Sequence, residues 1–214
     1  MKKYSILNTI LLIATLVSIS LLLIALANKY VLTQAFYDRN GQPLSGIPEL
    51  EAVTYRNIQH TIYFYAALYL IVKLLVITLV IYTGLYFFEI RASFRDVLRI
   101  ATLAEFIFLI PAIVKIWWFY YYVPDTSLER WEDFYFLSAA SLNDYVKPVN
   151  LYPLQTFNLF EISYWFVLAA GFRSLTQTDF DRSLKVILFS YVPALLLWII
   201  VVVFFTITYF PQSY

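Results

Sequence analysis

Four ionisable residues stand inside long apolar runs of the chain: Lys73, Glu105, Lys115 and Glu161. A charge at the centre of a bilayer costs at least ~2.5–3.5 kcal/mol on insertion scales, so such residues turn toward a protein interior and find partners there. Two carboxylates and two ammonium groups at that depth admit two kinds of chemistry. They can close into ion pairs that lock helices together, with the lysine stems also able to snorkel outward, or they can line a path for protons, ions or lipid headgroups. Counted from the inner end of each apolar run, Lys73 and Lys115 lie fifteen residues in and Glu161 eleven. At helical rise those depths are about 22 and 16 Å. A lysine stem covers the difference, which predicts a pair between Glu161 and either Lys73 or Lys115. Glu105, five residues from the inner end, is expected to reach Arg99, Arg173 or water.

Little else could carry a reaction. The 214 residues hold no cysteine and one histidine, His60. That excludes thiol catalysis, thiolate or multi-histidine metal sites, and disulfides. There is no glycine-rich phosphate loop, no Ser-His-Asp set and no His-Glu-x-x-His. His60 sits beside Gln59 and Thr61 at an expected membrane boundary, and Asp179 with Asp181 reads as a solvated loop and helix cap. The expectation is a protein with no catalytic residue, no cofactor and no metal.

The elements that must position these charges follow from composition. Hydrophobic residues make up 62% of the chain and charged residues 14%, against about 45–50% and 25% in soluble domains. A net charge of +1 excludes a basic nucleic-acid binder,. A crossing needs roughly 20 apolar residues. Five runs meet that length, at about 6–27, 66–88, 100–123, 155–172 and 186–210, and predict a single all-α membrane domain over residues 1–214. Outer loops are expected at 28–60 and 124–154. Pro111 and Pro193 fall inside the third and fifth runs and are read as helix kinks,. Ala25-Leu26-Ala27 has the form of a signal-cleavage site, but the run before it exceeds the ~7–15 residues of a signal core, so the first run reads as a retained anchor.

Orientation follows from the basic residues. With the N-terminus inside, the inner segments hold eight: Lys2, Lys3, Arg91, Arg95, Arg99, Arg173, Arg182 and Lys185. The outer segments hold five, Lys29, Arg39, Arg56, Arg130 and Lys147. The N-terminus is therefore expected inside and the C-terminus outside. In the first outer loop, residues 30–37 followed by Asn40-Gly41 suggest an extended segment and hairpin turn,. In the second, Thr126-Ser127-Leu128-Glu129 is a capping box ahead of Trp131, Phe134, Tyr135 and Leu137 at helical spacing,. That pattern predicts a surface helix. With Trp117 and Trp118 at the end of the third run, Trp131, Phe134 and Tyr135 form a candidate partner surface.

The two inner connections resemble one another. Residues 94–100 (FRDVLRI) lead into the third span and 180–186 (FDRSLKV) into the fifth; both continue to a Pro-Ala pair, Pro111-Ala112 and Pro193-Ala194, and follow a glycine, Gly84 and Gly171. This predicts two similar hairpins of the same orientation, spans two to three and four to five, related by a pseudo-twofold axis along the membrane normal, with the first span added.

The stretch 184–196 (LKVILFSYVPALL), the segment 159–162 (LFEI) and the five-span layout resemble the YIP (Ypt-interacting protein) family, in particular its short bacterial members. The resemblance covers roughly residues 60–210 and implies five membrane helices with a cytoplasmic N-terminus. In eukaryotic members the family is associated with small GTPases and vesicle traffic, and a long cytosolic N-terminal segment precedes the helices; here only about five residues precede the first span, so a small GTPase is not expected as partner. The expected role is an accessory subunit or scaffold of a larger complex in the bacterial inner membrane, acting among other membrane subunits and the lipid bilayer. The alternative is a small transporter, channel or lipid-handling protein that uses the charges at the repeat interface.

Overall fold

The computed structural model describes residues 6–39, 48–123, 127, 130, 131, 133–142, 146 and 148–209. Every regular element among the described residues is helical: α1 (Ile6–Tyr30), α2 (Gln34–Arg39), α3 (Pro48–Phe87), α4 (Phe94–Glu105), a 3-10 turn (Phe106–Phe108), α5 (Leu109–Tyr121), a second 3-10 turn (Ala139–Leu142), α6 (Pro148–Thr156), α7 (Leu159–Thr176) and α8 (Phe180–Tyr209). A lone antiparallel bridge joins Ser138 to Asn158. Four helical stretches are long and apolar enough to cross a membrane: Ile6–Tyr30, Asn57–Phe87, Phe94–Tyr121 and Phe180–Tyr209. Their large apolar side chains face outward, among them Leu7, Leu79, Phe189 and Ile200. Such a surface suits acyl chains and not water.

Local chemistry sets the helix boundaries, and several differ from the sequence expectation. Residues 34–39 are helical, not extended, because Thr33 caps them: its Oγ1 accepts the Phe36 N–H at 3.3 Å. The Asn40-Gly41 turn lies outside the described residues. Helix α3 begins at Pro48, inside the expected outer loop; proline at a first helical position loses no hydrogen bond. The expected third span is interrupted. Pro111 has no N–H for the Ile107 carbonyl and its ring crowds that carbonyl, and the chain tightens to 3-10 geometry over Phe106–Phe108. Helix α8 instead runs on through Pro193.

The expected fourth run, 155–172, is not among the stretches long and apolar enough to cross, and it is divided between two helices. Helix α7 starts at Leu159, where the Asn158 Oδ1 accepts the Glu161 N–H at 2.8 Å, and ends after Thr176. The expected surface helix after residue 124 falls largely outside the described residues. Ser127 caps it by accepting the Arg130 N–H at 3.2 Å; Arg130 and Trp131 are helical and the chain has turned by Asp133. Thr126 and Glu129, the expected capping pair, lie outside the described residues.

The chain forms two compact units. One comprises Met1–Leu12, Leu74–Phe108 and Tyr135–Tyr214. Within it α7 packs on both α4 and α8. Close approach depends on two glycines. A Cβ on Gly84 would stand 2.4 Å from the Ser190 Cβ, and one on Gly171 would stand 2.6 Å from the Ile100 Cγ2. Small residues are what allow helices to approach in lipid, where no hydrophobic force drives them together. The other unit comprises Ile13–Lys73 and Leu109–Phe134, and its rings gather around the buried Phe119.

Burial recurs along the first unit at two nearly equal intervals. Leu74, Ile77, Ile81 and Leu85 are buried on α3; eighty-seven residues later so are Glu161, Tyr164, Leu168 and Phe172 on α7. Val97, Ile100, Ala101 and Glu105 are buried on α4; eighty-six residues later so are Ser183, Val186, Ile187 and Tyr191 on α8. The connections agree as well, each turning through a left-handed residue, Glu89 and Gln177, both at φ 56°.

Candidate functional site

The buried polar centre of the first unit is built on three helices. Glu161, in the first turn of α7, takes two hydrogen bonds on one oxygen: Tyr191 on α8 donates its hydroxyl to Oε1 at 2.8 Å, and Trp165, one turn along α7, donates Nε1–H to Oε1 at 2.9 Å. The carboxylate also complements the helix N-terminus. Glu105, at the end of α4, is buried, and both Tyr164 and Tyr191 lie within electrostatic reach of Glu105 and Glu161. Tyr164 is 0% exposed, with its ring 5.2 Å from Phe108 and 5.5 Å from Tyr191 between centroids. Its hydroxyl has no hydrogen-bond partner among the described residues.

The two carboxylates of the four expected charges thus come together around a tyrosine pair. Tyr164 is not among the residues singled out from the sequence, and Tyr191 enters there only as part of the 184–196 resemblance, with no role as a hydrogen-bond donor. Trp165 was legible as an i, i+4 neighbour of Glu161, and Asn158-Leu159-Phe160-Glu161 as a capping pair; Tyr191, thirty residues away, depends on tertiary packing. Lys73 is half-buried. Lys115 places its Nζ 4.6 Å from the Trp131 ring centroid, a cation–π contact that also accounts for a lysine in an apolar helix.

In the second unit the candidate partner surface divides. Trp131 and Phe134 close on Phe119 at 5.0 and 5.2 Å between centroids, and Trp118 stacks on Tyr122 at 4.9 Å. Trp131 and Phe134 are half-buried in that packing, while Trp117, Trp118, Tyr121 and Tyr122 remain 49%, 39%, 65% and 59% exposed. Trp117 and Tyr121 carry the exposed surface further. They line an apolar groove of 390 Å³ with Tyr30, Ile113 and Tyr120. Tyr135 belongs to the first unit and is half-buried. His60 is exposed.

Compared with protein-family models, curated proteins and solved structures, the chain finds no match.

Proposed function

We propose that this chain is a non-catalytic integral membrane protein that works by assembly, as an accessory subunit or scaffold beside another membrane protein. The observation that carries the reading is the ring surface at the end of α5. Trp117 and Tyr121 are exposed, and the neighbouring rings, from Trp118 to Phe134, are pinned on one another and on Phe119. Aromatic side chains held rigid and half-exposed give contact area at little entropy cost, the character of interface anchors. The interior suits the same reading, since Glu161 is closed by two donors in a packed core. A second reading, movement of a proton, ion or lipid, draws on the Tyr164 hydroxyl, which is fully buried within electrostatic reach of Glu105 and Glu161 and has no partner among the described residues.

The architecture that goes with this role has five crossings, the N-terminus inside and the C-terminus outside, in a bacterial cytoplasmic membrane. Support for α7 as a crossing comes from its ends. Its start is joined to residues 137–139 by backbone bonds, while beyond its end Arg182 donates Nη2–H to the Phe88 carbonyl at 3.0 Å, bringing the two inner connections to one level. The matched burial and the crossed glycine contacts support two like hairpins about a pseudo-twofold axis. They agree with a YIP-like architecture.

The experiment is photo-crosslinking in the native membrane from an unnatural residue at position 117 or 121, with position 189 on α8 as a lipid-facing comparison. One discrete protein product from 117 and 121, and none from 189, is expected. Equal, diffuse labelling at all three would overturn the assembly reading.

A further inference from the structure

The two inner connections enclose a cleft of 370 Å³ at the polar ends of α3, α4, α7 and α8. Its wall carries Arg91, Arg182, Thr176 and Thr178, with Glu89 as the acid. Arg182 is held in place by its bond to the Phe88 carbonyl, and the hydroxyls form a chain, Thr176 to Thr178 at 2.8 Å and Thr178 to Ser183 at 2.9 Å. Both left-handed residues, Glu89 and Gln177, line this cleft. Non-glycine residues in that conformation carry a local cost that the surroundings must offset, and such residues gather at ligand clamps.

From this geometry we infer that the cleft binds the phosphate of an anionic lipid headgroup from the adjoining leaflet. Three apolar helices begin or end at this level, with Phe87, Phe94 and Phe180 as their terminal residues, so the cleft opens where headgroups lie. Two guanidinium groups match phosphate oxygens, since arginine offers paired donors in a fixed fork; the single protons of Thr176, Thr178 and Ser183 are taken up within their own chain, which ends on the Phe172 carbonyl at 2.7 Å. Basic pockets between membrane helices at the interface take acidic headgroups for this reason. Glu89 lowers the net charge of the wall to +1, which fits a singly charged phosphodiester better than a multiply charged one. This site is independent of the assembly reading and of any partner.

The test is native mass spectrometry of the full chain in detergent, supplied with equal amounts of phosphatidylglycerol and phosphatidylcholine of the same acyl chains. One phosphatidylglycerol retained in preference to phosphatidylcholine is expected. Arg91→Gln, which leaves the Arg182–Phe88 bond intact, is expected to cut that preference about fivefold, the equivalent of about 1 kcal/mol per basic residue at a membrane surface. Arg95→Gln, at a basic residue in the first turn of α4 outside the cleft wall, is expected to change it less than twofold. Equal retention of the two lipids, or equal loss in both variants, would overturn the site in favour of a diffuse basic surface. Displacement of the lipid by inorganic phosphate at equal concentration would overturn the lipid assignment and give the cleft to free phosphate.

Discussion

Replacing Glu161 separates its role as an acceptor from its role as a charge. Both donors converge on a single oxygen, Oε1, from Tyr191 at 2.8 Å and Trp165 at 2.9 Å. Glu161→Gln keeps an oxygen at that place and loses only the charge, whereas Glu161→Leu leaves a hydroxyl and an indole N–H without that acceptor. An orphaned buried donor costs about 1–3 kcal/mol in water-soluble cores, and hydrogen bonds between membrane helices average about 0.6 kcal/mol. Glu161→Leu should therefore cost about 1–4 kcal/mol, and Glu161→Gln under about 1 kcal/mol. Tyr191→Phe alone should cost about 0.6–1.7 kcal/mol. Added to Glu161→Leu it should cost less than its own increment, because the orphaned hydroxyl is gone. The assay is reversible unfolding in mixed micelles followed by tryptophan fluorescence. Glu161→Gln as damaging as Glu161→Leu, with Tyr191→Phe fully additive, would refute the packing argument and point to a site that needs the carboxylate charge itself.

Three further substitutions test separate parts of the structure. Tyr164→Phe keeps the ring contacts and removes a buried hydroxyl without a partner among the described residues, so a gain of about 1 kcal/mol in the same assay is expected, and a loss would reveal a partner such as a bound water. Gly84→Ala forces a Cβ to within 2.4 Å of the Ser190 Cβ; overpacking of about 1–3 kcal/mol should outweigh the ~1 kcal/mol gain in helix propensity. Ser190→Gly in the same chain should restore most of the loss, and failure of that rescue would argue against the crossed helix contact. Gln177→Gly, at a left-handed helix end that is exposed, should raise stability by about 1 kcal/mol, and an unchanged melting midpoint would argue against that backbone conformation.

What the sequence made legible was the part governed by length and local pattern. Apolar runs give helices because a bilayer leaves backbone groups no other partner, and four of the five expected runs overlap the stretches long enough to cross. The matched connections at 94–100 and 180–186 anticipated the recurring burial on α4 and α8. Boundaries were less legible because caps override runs: Asn158 delays α7 to Leu159, and Thr33 turns an apparently extended segment into α2. The 3-10 turn ahead of Pro111 follows from a rule known for proline, but its place, three residues upstream, depends on how the chain relaxes. The site was half visible. Glu105 and Glu161 stood out as charges in apolar runs, while Tyr164 looked like an ordinary member of an aromatic-rich chain and Tyr191, inside the 184–196 motif, gained its role only when packing brought its hydroxyl to Glu161.

Action in a complex, as proposed here, depends on the rings at the end of α5. Native mass spectrometry of the protein extracted from its own membrane in mild detergent tests it most directly, comparing the unaltered chain with Trp117→Ala/Tyr121→Ala. The account predicts a second polypeptide in fixed stoichiometry that is lost in the double variant while the helical content stays the same. A chain that runs alone, or a partner retained equally by both forms, would contradict it.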